Sequence, residues 1–472
     1  MAHEKNEKNL RTALKNHNQA HLLDFWHQLN KNQKNGLLQQ INQLNLKEID
    51  LWVKNIVRKT TPSKLPHSFH PAPAYNHTPA NPKQQQQYDQ AKKTGQELIA
   101  DGKVAAFVVA GGQGTRLGFH GPKGNFPISP IKNKTLFQIF AENINAVSQK
   151  YNATCPWYIM TSPLNHERTI SIFQENQYYG LQKQNVFIFE QGTMPDFSTD
   201  GRILLADKAN IACSPDGHGG SLKALYKSGA IDDMKKRGVK YISYFQVDNP
   251  LINIFDPLFI GLHALENAQM SSKALKKTDP FEKVGNFGIA DGKITVIEYS
   301  DLPNELAVKQ NPDGSLVFGL GSIAIHIINV DFVEKLNAKG FSLPLHKAIK
   351  IIPHIDENGK HLKTKGVKLE ALVFDALPLT QKSIILKTLR QQEFAPVKDA
   401  NGIDSPETTK RMMIERAADW LESAQIAIPK KPDGSIDCII ELAPSFAVEK
   451  EDVKQKLDRV TQINPGDRIY LE

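Results

Sequence analysis

Apolar and polar positions divide the chain into stretches of different period. Within residues 1–60, HLLDFWHQLN and GLLQQINQLN repeat apolar residues at three- and four-residue spacing with little Gly or Pro, which predicts helices. Residues 61–82, TPSKLPHSFHPAPAYNHTPANP, are crowded with proline. Each proline fixes φ and removes a backbone donor, so this stretch reads as an extended connector. Phe69 and Tyr75 imply that it lies against the main domain, since both rings would otherwise be exposed. From residue 88 the pattern alternates. VAAFVVA (104–110), WYIMTS (157–162), VFIFEQ (186–191) and YISYFQVDNP (241–250) are apolar runs of strand length. KTLFQIFAENINAVSQKY and NHERTISIFQEN between them have helical spacing. Strands alternating with helices predict a largely parallel α/β sheet. GNFGIADGKITVIEYS (285–300) differs: two alternating runs meet at Asp291-Gly292, an antiparallel hairpin signal. The sheet is therefore expected to be mixed. The end, with DCIIELA, VTQINPGDRIYLE and several turn dipeptides, reads as a small β-rich domain. The resulting division is a helical N-terminal segment with its connector over 1–87, an α/β core over 88–425 and a C-terminal β-rich domain over 426–472.

A chain of 472 residues exceeds one ordinary core, in keeping with that division. The apolar share of 40% and charged share of 23% are those of a globular protein. No run of eighteen apolar residues occurs, and the first residues, MAHEKNEKNL, have no apolar signal region, so neither a membrane span nor a secretory signal is expected. Cys155, Cys213 and Cys438 form no CxxC pair, which argues against a zinc site or disulfide framework and for a reducing cytoplasm. The formal net charge of +8 points to a solvated basic surface, to nucleic acid or to a polyanionic small substrate. Without a zinc finger or an RNP-type aromatic motif, nucleic acid is set aside.

The candidate chemistry begins at VVAGGQGTRLGFHGPKG (108–124), where the first buried strand runs into a glycine-rich loop. Ligands of open α/β sheets sit beyond the carboxyl ends of strands, so the placement favours binding. The dinucleotide pattern G-x-G-x-x-G fails at Leu117, and the Walker pattern fails because Lys123 is followed by Gly124. Small residues let the backbone approach a flat or charged group, and Arg116 and Lys123 add two cations suited to phosphate. The alternative is a plain turn with two surface cations.

The stretch AGGQGTRLGFHGPK (110–123) resembles the signature loop of the eukaryotic-type UDP-sugar pyrophosphorylases, with UDP-N-acetylhexosamine pyrophosphorylase as the nearest branch. Further blocks in the family's order extend the resemblance over nearly the whole chain: HLLDFWHQL, GQELIADGKVA, KTLFQIFAE, FEQ, PDGHGG, VDNPL, DPLFIG, VIEYSD, LEALVFD and QEFAPVKD. It implies a Rossmann-like mixed-sheet nucleotidyltransferase core of glycosyltransferase-A type, flanked by a smaller N-terminal segment and a C-terminal β domain. It implies uridylyl transfer from UTP to a sugar 1-phosphate with release of pyrophosphate. The nucleophile is already an anion, so positioning and neutralisation of negative charge would carry catalysis, with Mg²⁺ as cofactor. By the same resemblance, Gly111, Gly112, Gln191, Gly217 and His218 bind the nucleotide. Arg116, Lys123 and Lys398 grip the phosphates, and Asp248 holds the metal. Gly285, Glu298 and Ser322 line the sugar pocket. UTP, sugar 1-phosphate, UDP-sugar and pyrophosphate are the implied partners, with no nucleic acid or membrane, and the protein is expected as a monomer or weak homo-oligomer.

Two positions depart from the N-acetylhexosamine branch. Its P-D-G-N-G-G reads here with His218, closer to the UDP-glucose and broad-specificity branches, and its N-x-G-N-I reads Gly319-Leu320-Gly321-Ser322-Ile323. Loss of both amides implies a sugar pocket unlike that of the usual N-acetylglucosamine enzyme. The resemblance as a whole still implies N-acetylglucosamine 1-phosphate or a related hexose 1-phosphate as substrate, with a UDP-glucose or broad UDP-sugar enzyme as the alternative. A UDP-sugar glycosyltransferase is a further reading, disfavoured because the chain has no D-x-D motif. A non-catalytic nucleotide-sugar sensor is disfavoured because Arg116, Lys123, Asp248 and Lys398 are all present.

Overall fold

The computed structural model describes residues 2–59, 68–341, 343–460 and 462–472. The chain forms two compact units. Met1–Lys64, Gly192–Ser221 and Leu343–Asp375 make the first; Leu65–Gln191, Leu222–Ser342 and Ala376–Glu472 make the second.

In the first unit the chain near the N-terminus forms helices Ala2–Asn16, Lys31–Asn42 and Leu46–Trp52, whereas HLLDFWHQLN, expected to be helical, forms only two short 3₁₀ turns, Ala20–Leu23 and Trp26–Gln28. The helix Lys31–Asn42 starts on a capping box: Gln33 N donates to Asn30 Oδ1, and Asn30 N donates to Gln33 Oε1, both at 3.0 Å. Leu14, Leu22, Leu37, Ile41 and Ile49 share a core with Phe197, Val367 and Leu369. The last two lie on a long antiparallel hairpin, Leu345–Ile355 with His361–Ala371, joined by Phe197–Ser198. The apolar faces of the helices are thus buried by chain far downstream, which local periodicity does not reveal.

The second unit is built on a mixed sheet of ten strands among the described residues. Its labelled elements, in chain order, are α1 (Pro82–Ala100), β1 (Val104–Val109), α2 (Leu136–Tyr151), β2 (Trp157–Thr161), α3 (His166–Glu175), β3 (Val186–Glu190), β4 (Tyr241–Gln246), α4 (Pro257–Leu265), β5 (Met270–Lys276), β6 (Gly285–Ala290), β7 (Lys293–Ile297), β8 (Leu320–Asn329), β9 (Ile385–Thr388) and α5 (Pro406–Ser423). Strands run in the order β6-β8-β4-β1-β2-β3, with Phe69–Pro71 beyond β6. β4, β1, β2 and β3 are mutually parallel; β8 and β6 join antiparallel. β1 and β2 are buried at every residue, as their unbroken apolar runs require. The Asp291-Gly292 turn joins β6 to β7, with both residues at positive φ (49° and 76°), the backbone of a two-residue hairpin loop.

Of the proline-rich connector, residues 60–67 lie outside the described residues. The described remainder lies against the sheet: Phe69 stacks on Phe318 at 4.8 Å, and Tyr75 Oη donates to Glu266 Oε1 at 2.7 Å. α1 and α4 approach through glycine. A Cβ on Gly261 would stand 1.7 Å from Ala91 O, and one on Gly95 would stand 1.9 Å from Pro257 O. The chain's end is less β-rich than its turn dipeptides suggest. Among the described residues there, the paired strands are Ile439–Leu442 and Arg468–Leu471, in parallel, beside an isolated Lys430–Ile436 bridge, while Lys450–Arg459 is helical and opens on a Glu449–Asp452 capping box. These pieces bury Leu421, Ile440, Phe446 and Val453 together.

His263 of α4 is fully buried beneath the sheet. Its Nε2–H donates to Asn329 Oδ1 (2.6 Å), leaving Nδ1 to accept from Ser271 Oγ (2.7 Å). Burial pushes its pKa down to about 4, so the folded protein keeps it neutral. Unfolded chains bind a proton there near the ordinary value of 6.5, so this contribution is complete above that pH and is lost as pH falls toward 4. Urea unfolding should therefore show stability falling between pH 6.5 and 4, by up to about 1.4 kcal/mol per pH unit for this group. In His263→Gln the slope should flatten by that amount; an unchanged slope would contradict the assignment.

Candidate nucleotide-binding site

Because β4, β1, β2 and β3 are parallel neighbours, the segments following them share one edge of the sheet. The glycine loop follows β1, Ser162 follows β2, Gln191 follows β3 and Asp248 follows β4. The loop folds on itself: Gly114 N donates to Gly121 O and Lys123 N to Gly112 O, each at 3.0 Å. Its root is pinned by Asn165, a residue the sequence reading passed over. The Asn165 Nδ2 donates to Ala110 O (3.0 Å) and Gly112 O (3.2 Å), while its Oδ1 accepts from Ser162 N (2.8 Å). An Asn opening a helix signals an N-cap, but this side chain makes no cap bond and is spent on the loop.

A Cβ on Gly111 would stand 3.0 Å from Gln191 Oε1 and 3.4 Å from Ser162 Cβ, so Gly111 and the buried Gln191 amide face one another. At Gly112 a Cβ would meet nothing within 4 Å. This side of the loop is open to an incoming group. An amide at such a place offers both a donor and an acceptor, as a uracil edge requires.

Segment 392–400 carries Lys398 and is met by the Lys123 side chain and by the Arg116 backbone. Lys123 Nζ donates to Val397 O (3.3 Å), and Ala400 N donates to Arg116 O (3.1 Å). The Arg116 side chain is exposed. Lys398 Nζ lies 3.4 Å from Asp404 Oδ2 and over the Phe394 ring at 5.7 Å. Such half-exposed pairs are weak and readily exchanged for phosphate oxygens. Asp248 belongs to the same assembly, since its carbonyl accepts from Val397 N at 2.8 Å. β4 stops at Gln246, two residues before Asp248 and earlier than the apolar pattern suggests, because the backbone there turns from the sheet to segment 392–400.

Gly285, Glu298 and Ser322 meet at a second place. β6 pairs Gly285 with Ser322 of β8, and a Cβ on Gly285 would lie 3.7 Å from both Glu298 Oε1 and Ser322 Cβ. β8 is antiparallel to β4, so Ser322, near the start of β8, lies toward the end at which β4 finishes and Asp248 follows. Just past Ser322, Ala324 has φ 54°, and the pairing with β5 slips between Ser272 and Ala274. A non-glycine residue in the left-handed region at a bulge re-aims the strand beside the three residues, and nothing in the sequence announces it.

Gly217 and His218 belong to the first unit. PDGHGG packs there on LEALVFD: Ala371 N donates to Asp216 O and Gly219 N to Ala371 O, each at 2.8 Å. Gly217 has φ 83°, and a Cβ on it would press on Ala371 O at 2.4 Å, so backbone shape and packing both demand glycine. His218 Nδ1 accepts from Val373 N (3.1 Å), and its ring lies 5.9 Å from Phe374. Burial, with a smaller contribution from His346, pushes its pKa down to about 4 and keeps it neutral.

Comparison with known proteins yields matches over nearly the whole chain. The family described as UTP–glucose-1-phosphate uridylyltransferase matches residues 72–470. UDP-N-acetylglucosamine pyrophosphorylase of Saccharomyces cerevisiae is 34% identical over 461 residues, covering 93% of this chain and 94% of that protein. UDP-N-acetylglucosamine diphosphorylase 2 of Arabidopsis thaliana is 34% identical, covering 87% of this chain and 84% of its own. Among solved structures, uridine diphosphate N-acetylglucosamine pyrophosphorylase from Trypanosoma brucei, in complex with an inhibitor, superposes with a TM-score of 0.84 at 25% identity, covering 99% of this chain and 98% of that one.

Asn165→Ala removes two donors and one acceptor from the root of the glycine loop. Amide hydrogen exchange across 111–123 should quicken on the order of tenfold or more, with amides of β1 little changed. Equal exchange in variant and wild type would show that the loop holds its shape without Asn165.

Proposed function

The chain belongs to the UTP–glucose-1-phosphate uridylyltransferase family, and we propose that it makes a UDP-sugar and pyrophosphate from UTP and a sugar 1-phosphate. N-acetylglucosamine 1-phosphate is the leading substrate, followed by related hexose 1-phosphates. One observation carries this reading: Lys123 Nζ and the backbone carbonyls of Arg116 and Asp248 all bond to segment 392–400, which itself carries Lys398. A triphosphate needs such a concentration of cations; a neutral metabolite does not.

The chemistry follows from that arrangement. Gly111 and Gly112 admit the nucleotide to the backbone, and Gln191 reads the base. The neutral imidazole of His218 acts as a hydrogen-bonding group and not as a charge. A sugar phosphate oxygen attacks the α-phosphorus in line, a P–O bond forms, and the bond to the β,γ-phosphates breaks with pyrophosphate as the leaving group. The attacking oxygen is already anionic, so no base is required. Arg116, Lys123 and Lys398 neutralise charge that accumulates on the α-phosphate and the leaving group. Asp248 suits Mg²⁺, since this ion takes one or two protein carboxylates and fills its shell with phosphates and water. When bound, the ion would supply further neutralisation of the phosphates. The free thiols of Cys155, Cys213 and Cys438 suit a reducing cytoplasm, where we propose that the protein works as a monomer or weak homo-oligomer.

Glu298 and Ser322, facing across Gly285, form the sugar subsite. Serine in place of an amide leaves fewer fixed partners for an acetamido group. This favours, as a second reading, a pocket that also accepts glucose 1-phosphate.

Incubation with UTP, Mg²⁺ and a panel of sugar 1-phosphates should release pyrophosphate. Lys123→Ala should lower turnover by on the order of 10²–10³-fold, and full activity in that variant would remove the loop from the mechanism. In competition assays, Ser322→Asn should raise kcat/KM for N-acetylglucosamine 1-phosphate relative to glucose 1-phosphate by about five- to tenfold. A wild-type preference for the acetamido sugar already exceeding about 10²-fold would count against a permissive pocket.

A further inference from the structure

The segment carrying Lys398 is fastened from beneath by buried charge. Glu393, at the start of this segment, is 5% exposed, and Lys273, in the middle of β5, is 2% exposed. Lys273 Nζ contacts both Glu393 oxygens, at 2.5 and 2.6 Å, and Asp256 Oδ2 at 2.6 Å. The Glu393 carboxylate also accepts from Thr388 Oγ1 of β9 (2.8 Å) and from Asn253 N (3.3 Å). One side chain thus ties the segment to β5, to β9 and to the chain following Asp248.

The backbone continues the connection. Asn249 Nδ2 donates to Glu393 O (2.7 Å), and Asn249 Oδ1 accepts from Ala395 N (3.0 Å). Val397 N then donates to Asp248 O (2.8 Å), immediately before Lys398. Arg416 Nη1 bridges the same two stretches, donating to Leu251 O (2.8 Å) and Gln392 O (3.3 Å). A continuous set of bonds therefore runs from the buried carboxylate to the residue that precedes the phosphate-binding lysine.

Burying ions is an expensive way to hold a loop, and apolar residues of similar volume hold a fold as well or better. Several hydrogen bonds of fixed length do something that apolar packing does not: they define position to a fraction of an ångström. Position matters here because a small misplacement of a charge-neutralising group costs much of its effect on a transition state. We propose that Glu393, clamped by Lys273, is a positioning residue that sets where Lys398 stands relative to Asp248 and the glycine loop. The proposal rests on the uridylyl-transfer reading above.

A double-mutant cycle on the full chain tests it, with pyrophosphate release and thermal midpoint measured for each variant. Glu393→Gln keeps the shape and the acceptor but loses the charge. It should lower kcat by about ten- to a hundredfold while leaving the KM for UTP within about twofold. In a Lys398→Ala background the same change should cost nothing further, because the group being positioned is gone. A merely structural role would give additive losses in the two backgrounds, and additivity would overturn the proposal. Thr388→Val removes one hydrogen bond from the same carboxylate and is the gentler variant. Its loss, about threefold, should likewise vanish with Lys398→Ala, and this cycle decides the matter if Glu393→Gln shows no cooperative melting. Wild-type kcat in both single variants would also overturn the proposal. Wild-type protein that releases no pyrophosphate with any sugar 1-phosphate would overturn the uridylyl-transfer reading and the positioning role with it.

Discussion

The parallel pairing of β4, β1, β2 and β3 is the constraint from which the candidate nucleotide site follows. Parallel strands need crossovers, and the helices α2 and α3 that provide them leave the carboxyl ends of their strands on one edge. Segments with no sequence proximity, the glycine loop, Ser162, Gln191 and Asp248, arrive at that edge because their strands do. β8 runs antiparallel to β4, so Ser322, near its start, lies at the same end. The sheet therefore fixes the order of subsites before any side chain is chosen.

Charge is used in two ways within this unit. Lys123, Arg116 and Lys398 are exposed or half-buried, and the partners of the two lysines are a carbonyl oxygen and the half-exposed Asp404. These contacts are weak enough to yield to a polyphosphate. Lys273 is the opposite case. Burial alone would push its ammonium pKa down, but Asp256 and Glu393 on either side outweigh that and hold it above the ordinary lysine range. A charge with no access to solvent and two carboxylate partners cannot be recruited by a ligand, so its value is geometric. Displaceable cations sit at the mouth, and fixed ions sit in the foundation.

Close approach is the other recurring device. Gly95 and Gly261 let α1 and α4 touch backbone to backbone, Gly111 makes room for Gln191, and Gly217 lets one segment lie on another. The same residue type thus serves fold and site. A glycine in the sequence therefore signals a tight place without saying what fills it. In PDGHGG the filling is the protein's own Ala371 backbone, whereas at Gly112 it is open space.

Apolar runs buried on both faces, helical spacing between them and an Asp-Gly turn at 291–292 determined by themselves that the second unit is a mixed α/β sheet, because these features depend only on local periodicity. The glycine loop with Arg116 and Lys123 was legible for the same reason, as a contiguous strand–loop–cation pattern. Residues whose meaning is non-local were not legible. Asn165 looks like a helix cap, Glu393 and Lys273 like surface charges, and Ala324 like an ordinary strand residue. Only the tertiary structure brought Asn165 to the loop's carbonyls, sealed Lys273 between two carboxylates and bent β8 beside Ser322. Hydrogen bonds and ion pairs between segments distant in sequence leave no periodic trace in the chain, so folding alone decides them.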